Sequence, residues 1–275
     1  MTTDDPTTTA GRIPALVHVA LREAISRGKA AAVGTVIAGT PLGAKVFVSG
    51  ETTAGTLGPG LDRHVLADAR ALLDEDRSET RDYETGSGDR ATVFIQTYPA
   101  PFTLVICGAV HVAQALANLA VPLGYRVVVT DARATLATRE RFPDVADLVV
   151  AWPDEALPAL GLDRRAAIAV LTHDPKFDEP ALSAALATGA AYIGAIGSRK
   201  THEDRRERLR EAGIADDQIA RIRGPIGLNI GAETPEEMAV SILAEIIAVR
   251  RGRPGGMLTG ASGAIRGAVI PSDPA

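Results

Sequence analysis

Thr103-Leu104-Val105-Ile106-Cys107-Gly108-Ala109-Val110-His111-Val112-Ala113 decides the fold. Thr103 to Cys107 is an apolar run without in/out alternation, the pattern of a strand covered on both faces. It passes through a glycine turn straight into a helix-like stretch, Val110 to Val121. Strand, glycine turn and helix in that order form the context of a dinucleotide-type phosphate turn. Runs of the same kind recur at Arg126 to Thr130, Asp147 to Ala151, Ala166 to Leu171 and Tyr192 to Ile196. Helix-like segments such as Glu179 to Thr188 and His202 to Glu211 lie between them. This alternation predicts an α/β fold, a Rossmann-like doubly wound parallel sheet. A last helix opens at Thr234-Pro235-Glu236-Glu237, a capping box with Pro at the first helical position, and runs to Arg250.

Upstream the texture differs. A helix is expected over Pro14 to Arg27, short strands over Ala31 to Ile37 and Ala44 to Val48, and a Gly/Thr-rich turn region over Gly50 to Gly60. A second helix over Asp62 to Asp76 and strands over Arg81 to Thr85 and Ala91 to Tyr98 follow. That is a smaller α+β unit with a mainly antiparallel sheet. The expected organisation is a flexible start (1–11), an N-terminal α+β domain (12–98), a linker at Pro99 to Pro101, the Rossmann-like domain (102–251) and a flexible tail (252–275).

Composition narrows the function classes. The 275 residues carry 29 Lys plus Arg against 34 Asp plus Glu, a net charge of -5, which disfavours a nucleic-acid clamp. Five Phe, four Tyr and one Trp are too few and too scattered for a base-stacking platform. Cys107 is the single cysteine, so disulfide frameworks and cysteine-based zinc clusters are excluded within the chain. Ala91 to Tyr125 contains no charged residue, but prolines, Gly108 and the polar stripe His111, Gln114, Asn118 argue against a membrane span. The polar, acidic start lacks the apolar core of a secretory signal, and a cytoplasmic protein is expected.

In a sheet ordered 3-2-1-4-5 the loops after the first and fourth strands diverge and open a crevice. The first of these loops carries Gly108, Val110 and His111; the other carries Thr172-His173-Asp174-Pro175; the loop after strand five carries Gly197-Ser198-Arg199. Asp131 ends the second strand about 20 residues after the glycine turn, where such folds place a ribose-binding acid. The set suits a polar, anionic ligand or proton movement. Plainer readings stay open: His111 as a helix-start residue, His173 and Asp174 as a strand-end turn, and Ser198 and Arg199 as a cap and a solvated helix start. Val110 occupies the place of the fingerprint's second glycine, and its Cβ obstructs backbone approach to a pyrophosphate. Pro225 to Gly231 reads as a shaped loop that closes over the crevice or as a plain connector, His202 to Glu211 as a solvated charged face, and Cys107 as a small buried hydrophobe. No metal site, serine-nucleophile elbow or P-loop is found, and no residue is assigned a catalytic role.

Gly108-Ala109-Val110-His111-Val112-Ala113 is similar to a Gly-Ala-Gly-His-Val-Ala motif, Leu171-Thr172-His173-Asp174-Pro175 to a Leu-Thr-His-Asp motif, and Tyr192 to Arg199 to Tyr-Ile-Gly-x-Ile-Gly-Ser-Arg. With Pro225-Ile226-Gly227-Leu228 and Thr234 to Ile246, these motifs resemble the XdhC/CoxI family, accessory proteins of xanthine dehydrogenase and related molybdenum hydroxylases. The N-terminal half resembles it less: Pro59-Gly60-Leu61-Asp62 stands where the family commonly has Gly-Gly-Cys, so the cysteine is absent. The resemblance implies a maturation chaperone that binds molybdenum cofactor (molybdopterin) and delivers it to a hydroxylase of the xanthine dehydrogenase or carbon monoxide dehydrogenase type. It also implies sulfuration by a partner cysteine desulfurase and a homodimer. On this expectation Arg199, Ser198 and the Gly108 turn take the anionic end of the cofactor, and His111, His173 and Asp174 lie near the pterin or metal. Two alternatives remain: an accessory protein that binds only its protein partner, and an NAD(P)-dependent oxidoreductase with Asp131 on the ribose.

Overall fold

The computed structural model describes residues 6–84, 88 and 90–260. The parts of the expected flexible ends at 1–5 and 261–275 lie outside the described residues. The chain divides between Pro101 and Phe102 into two units.

The first unit begins with α1 (Pro6–Ser26), which starts earlier than the helix expected from Pro14 and takes in residues 6–11, expected to be a flexible end. Then come β1 (Ala31–Ala38), β2 (Lys45–Ser49), β3 (Thr52–Gly55), α2 (Pro59–Asp74), β4 (Glu79–Glu84) and β5 (Arg90–Tyr98). The sheet runs β3-β2-β1-β5-β4, every pair antiparallel. Strand alternation feeds two cores. Ala32 and Val36 of β1 join Val65, Ala69 and Leu72 of α2, while Ala31 and Val33 join Val17 and Ala24 of α1. Leu61 is buried among the α2-side residues. β3 is the strand that the turn-rich reading missed. Gly50, at φ +57, lets the chain fold back so that Thr52 pairs with Ser49. As an exposed edge strand, β3 has no buried alternation to betray it.

The second unit runs β6 (Thr103–Cys107), α3 (His111–Ala120), β7 (Arg126–Thr130), β8 (Asp147–Val149), α4 (Pro153–Ala159), β9 (Ala166–Val170), α5 (Pro175–Leu186), β10 (Tyr192–Ala195), α6 (Arg199–Glu211), α7 (Asp216–Ile219), β11 (Ile222–Arg223) and α8 (Pro235–Arg250). Its sheet is parallel throughout, ordered β11-β10-β9-β6-β7-β8, so the expected doubly wound order appears with one short strand added at the edge. Leu104, Ile106, Val127 and Val129 face a core completed by Leu116 of α3 and Ile242 and Ile246 of α8. Val105, Val128, Ile168 and Val170 face the opposite core with Leu157 of α4, Leu182 of α5 and Leu209 of α6. Burial on both faces explains why these strands read as continuous apolar runs. At the β6/β9 junction the two chains leave toward opposite faces, α3 to one and α5 to the other, which opens the crevice.

Candidate functional site: the crevice at the β6/β9 junction

The loops after β6 and β9 touch through glycine. Gly108 has φ +105, and a Cβ there would stand 2.5 Å from Cγ2 of Thr172. No other residue type fits both conditions without displacement. The next residue is clamped on both sides. The N–H of Ala109 donates to Oδ2 of Asp131 at 2.7 Å, and its carbonyl accepts from Nη1 of Arg141 at 2.8 Å.

Asp131 is 2% exposed. Its Oδ1 also accepts from the backbone N–H and Nε of Arg133, each at 2.9 Å, and its Oδ2 from Nη2 of Arg133 at 2.8 Å. Burial pushes this carboxyl up, but the bonds from Arg133 and Ala109 together hold it below its ordinary value. Both oxygens are therefore engaged by the protein. A ribose hydroxyl would have to displace Arg133 or Ala109 to reach them.

Val110 is the N-cap of α3, extended at φ -86, and offers no side-chain cap; the first turn of α3 also lacks an acidic residue. Its first-turn N–H groups form the positive end of the helix dipole, and Val110 and Val112 both line the crevice. The neighbouring helices differ. Asp174 caps α5 by accepting from Lys176 N at 3.0 Å, Ser198 caps α6 by accepting from Thr201 N at 3.1 Å, and Thr234 and Glu237 form the capping box of α8. Asp174 and Ser198 thus do perform the local work that their plainer reading assigns them.

Three hollows of about 500 Å³ line this edge of the sheet. Val110, Arg133, Thr172, His173 and Phe177 surround one. His173 is also a wall of the next, with Val112, Gly197, Ser198 and Met238. Gly197 leads on to the third, where Arg199 faces the loop from Pro225 to Ala232. His173, Asp174, Gly197, Ser198 and Arg199 therefore share one trough with the Gly108–Val110 turn. His111 lies beside them, in an adjoining depression between α3 and α8 with Gln114, Asn118 and Val240, which shares Ile230 with the third hollow and Pro235 with the second.

Two features escaped the sequence reading. Beneath the trough, Thr172 Oγ1 donates to Oδ1 of Asp178, whose Oδ2 takes Nη2 of Arg205 at 2.8 Å; the same Nη2 reaches the Ile196 carbonyl at 3.0 Å. Arg205 is 1% exposed, so the charged segment from His202 to Glu211 is not solvated all round. The alternating charges hid it, because one buried arginine leaves no trace in such a pattern. On the flank, Arg133 lies 5.3 Å from the centre of the Phe177 ring, and Trp152 stacks on Phe177 at 4.5 Å and 14°.

The loop after β11 is anchored. Gly227 N donates to Oε2 of Glu245 at 2.8 Å, Ser241 Oγ donates to the Leu228 carbonyl at 2.6 Å, and Ile226 N donates to the Ala195 carbonyl at 3.0 Å. Gly227, at φ +102, packs so closely that a Cβ would meet Ser241 Oγ at 2.4 Å. The loop is a fixed wall of the third hollow. Cys107 is fully buried, and burial followed by the Asp131 charge pushes its thiol up to about 12, so it remains a protonated core residue. Among the described residues no group of three or more His, Cys, Asp or Glu could hold a metal ion, and no helix is long and apolar enough to cross a membrane.

Residues 104–246 match the family model of the XdhC Rossmann domain. An uncharacterized protein of Escherichia coli, YqeB, is 34% identical over 216 residues, covering 74% of this chain and 40% of that protein. A probable xanthine dehydrogenase subunit of Bacillus subtilis is 35% identical over 159 residues, 58% of this chain and 46% of that one. The molybdenum cofactor insertion chaperone PaoD of E. coli is 32% identical over 147 residues, 54% of this chain and 40% of that one. The chain thus spans less than half the length of these curated relatives. The crystal structure of a xanthine dehydrogenase from Bacillus halodurans superposes with a TM-score of 0.63 at 24% identity, covering 85% of this chain and 66% of that chain, and shows the same fold.

Proposed function

We propose, for a chain that belongs to the XdhC family, that the trough at the β6/β9 junction binds molybdenum cofactor as cargo and that the protein assists its insertion into a molybdenum hydroxylase of the xanthine dehydrogenase type. The observation that carries this reading is the uncapped start of α3 opening into a trough that also holds His173 and Arg199. The cofactor is a pyranopterin: the pterin ring offers a hydrogen-bonding edge at one end, and the pyran ring at the other end carries both the oxo-metal dithiolene and a phosphate. An anion suits the free N–H groups of α3 and the Arg199 guanidinium, and a hydrogen-bonding ring suits an unencumbered imidazole. His173 makes no hydrogen bond among the described residues, so its ring nitrogens are open to a ligand.

Gly108 lets the turn approach Thr172, Val110 floors the hollow, and Asp131 holds the turn in place from behind. Gly197 gives the ligand passage between the second and third hollows, and Ser198 and Asp174 fix the helix starts on either side. The names of the relatives favour the role: one is a molybdenum cofactor insertion chaperone, another a probable component of xanthine dehydrogenase. A homodimer in the cytoplasm, working with a cysteine desulfurase and delivering to a hydroxylase of the xanthine dehydrogenase or carbon monoxide dehydrogenase type, completes the proposal.

The second reading is an accessory protein that binds only its protein partner. Val110 at the turn, Ala109 N–H turned inward to Asp131, and a buried Leu61 in place of a thiol all favour it.

The test is direct. Protein purified from cells that make molybdenum cofactor is oxidised, and the released fluorescent pterin is measured in wild type, His173→Ala and Arg199→Ala. Stoichiometric pterin in wild type and clear loss in the variants support cofactor binding. Absence of pterin, together with no protection of added cofactor, overturns it; a stable complex with the hydroxylase would then establish the second reading.

A further inference from the structure

Arg133 carries more contacts than its place in a surface loop requires. Its guanidinium is held flat by two side-chain bonds to a buried carboxylate, Nε to Oδ1 and Nη2 to Oδ2 of Asp131. It lies over Phe177, and Phe177 is stacked on Trp152. Yet the Arg133 side chain keeps 43% of its surface exposed, and Nη1 has no hydrogen-bond partner among the described residues. A guanidinium plane fixed on one edge, backed by an aromatic pair and open to a hollow of about 500 Å³, is a preformed surface for a flat ring, with a donor left for an anion beside it. The other groups facing it are Asp174, His173 and the open end of α3.

We propose that Arg133 is a ligand-binding residue of the trough, stacking a planar heteroaromatic ring on its guanidinium while its free Nη1 pairs with a phosphate of the same ligand. A pterin phosphate and a nucleoside phosphate share this chemistry. The inference deepens the cofactor-binding reading by naming what one end of the trough recognises, and it rests on that reading for its biological setting alone.

Trp152, the single tryptophan of the chain, reports on the site by its own fluorescence. Wild-type protein is titrated with 6-hydroxymethylpterin phosphate, CMP and AMP, and with cytidine, ribose 5-phosphate and inorganic phosphate as half-ligands. Saturable change with a ring-phosphate probe, with each half-ligand binding about tenfold or more weakly, supports the proposal. Whichever of pterin phosphate or nucleotide binds more tightly identifies the source of the ring. Arg133→Lys keeps a cation for Asp131 but loses the plane, and the binding of the folded variant is expected to fall by about tenfold, with a urea titration measuring separately what the lost second bond to Asp131 costs in stability. Should that variant fail to fold, Phe177→Leu removes the backing ring and leaves the Asp131 pair intact.

No response at millimolar probe, inorganic phosphate binding as tightly as AMP, or both variants binding like wild type would each overturn the proposal. Pterin that copurifies equally with wild type and Arg133→Lys overturns this inference and leaves cofactor binding standing. Probe binding at Arg133 without any copurifying pterin does the reverse.

Discussion

Asp131 accepts a hydrogen bond from the backbone N–H of Ala109 at 2.7 Å, so the end of β7 holds the turn that follows β6. In a dinucleotide-binding fold, an acid at this place and the turn's N–H groups both face the ligand. Here the acid and one of those N–H groups satisfy each other. The pair serves as scaffold, and the start of α3 and the half-exposed Arg133 remain open at the crevice.

Removing that scaffold has a definite cost. Asp131→Ala leaves the Ala109 N–H without its acceptor and Arg133 without its partner, and we expect a loss of about 2 kcal/mol at neutral pH, discounted because Arg133 is half in water. Asp131 in the folded protein ionises below its ordinary 3.8, so its contribution is fully present above that value and is lost as the pH falls through the lower folded one. Urea titrations at neutral pH and at about pH 3 should show the gap between wild type and variant shrinking in acid. A gap unchanged down to that pH would refute the assignment.

Gly108→Ala places a Cβ 2.5 Å from Cγ2 of Thr172 at a backbone φ of +105. Strain of this kind costs about 1–3 kcal/mol and pushes the β6 and β9 loops apart. The expected outcome is a lowered urea midpoint together with weaker ligand binding than in a control of equal stability loss placed in the first unit, such as Val93→Ala. Equal binding in the two variants would show that the glycine serves packing alone.

Asp178 and Arg205 are buried together beneath the trough. Breaking a buried pair from one side strands a charge, so Asp178→Ala should lose about 3–5 kcal/mol, while Asp178→Leu combined with Arg205→Met should recover much of it. The double variant then isolates the positioning role. The Ile196 carbonyl and the Thr172 hydroxyl lose their ties, and hydrogen exchange should rise at residues 172–174 and 196–198 even where stability is restored. Unchanged exchange in the stable double variant would argue against positioning.

What the sequence made legible follows from periodicity. The parallel sheet, its order and the loops that meet at the crevice could be read because strands buried on both faces leave unbroken apolar runs, as in Val127 to Val129. Edge elements left no such mark. β3 is exposed, β11 has two residues, and α4 is a single short helix. At the crevice, chain position sufficed to bring His173, Asp174, Gly197, Ser198 and Arg199 to one trough, but it could not show which way a helix-start residue faces, and His111 lines the adjoining depression on the α8 side. Arg133 and Arg205 were missed for opposite reasons. One stands two residues past a strand-end acid, a spacing that could have flagged it as that acid's partner; the other is hidden among the charges of α6, where only tertiary packing selects the residue that turns inward.

Burial pushes the Cys107 thiol up to about 12, which makes it a poor candidate for sulfur transfer. Native protein at neutral pH should resist iodoacetamide and react only on unfolding. Cys107→Ala should leave any pterin content unchanged, while lowering stability by about 1 kcal/mol for the small cavity it opens on the α5 side of the sheet. Rapid alkylation of the folded protein would contradict this burial.

Glu245 holds the loop after β11 to the body of the second unit through two donors, the Tyr192 hydroxyl at 2.5 Å and the Gly227 N–H at 2.8 Å. Tyr192 is 2% exposed, and burial first, then the Glu245 charge, raise its ionisation well above the ordinary 10. The sign follows. The folded protein keeps this phenol neutral while the unfolded chain ionises it, so the stability it confers is complete below about pH 10 and falls as the pH rises toward the folded value. Other tyrosines share this behaviour, Tyr83 and Tyr125 among them, so the wild-type curve alone does not isolate Tyr192. Tyr192→Phe does: it should lose about 1 kcal/mol at pH 8 for the missing bond, and its further loss between about pH 8 and pH 10.5 should be smaller than that of wild type. Glu245→Ala strands both donors and should cost about 2–4 kcal/mol, with proteolysis appearing first within residues 225–231. Parallel alkaline curves for wild type and Tyr192→Phe would show that the phenol is not held neutral by its burial and by Glu245.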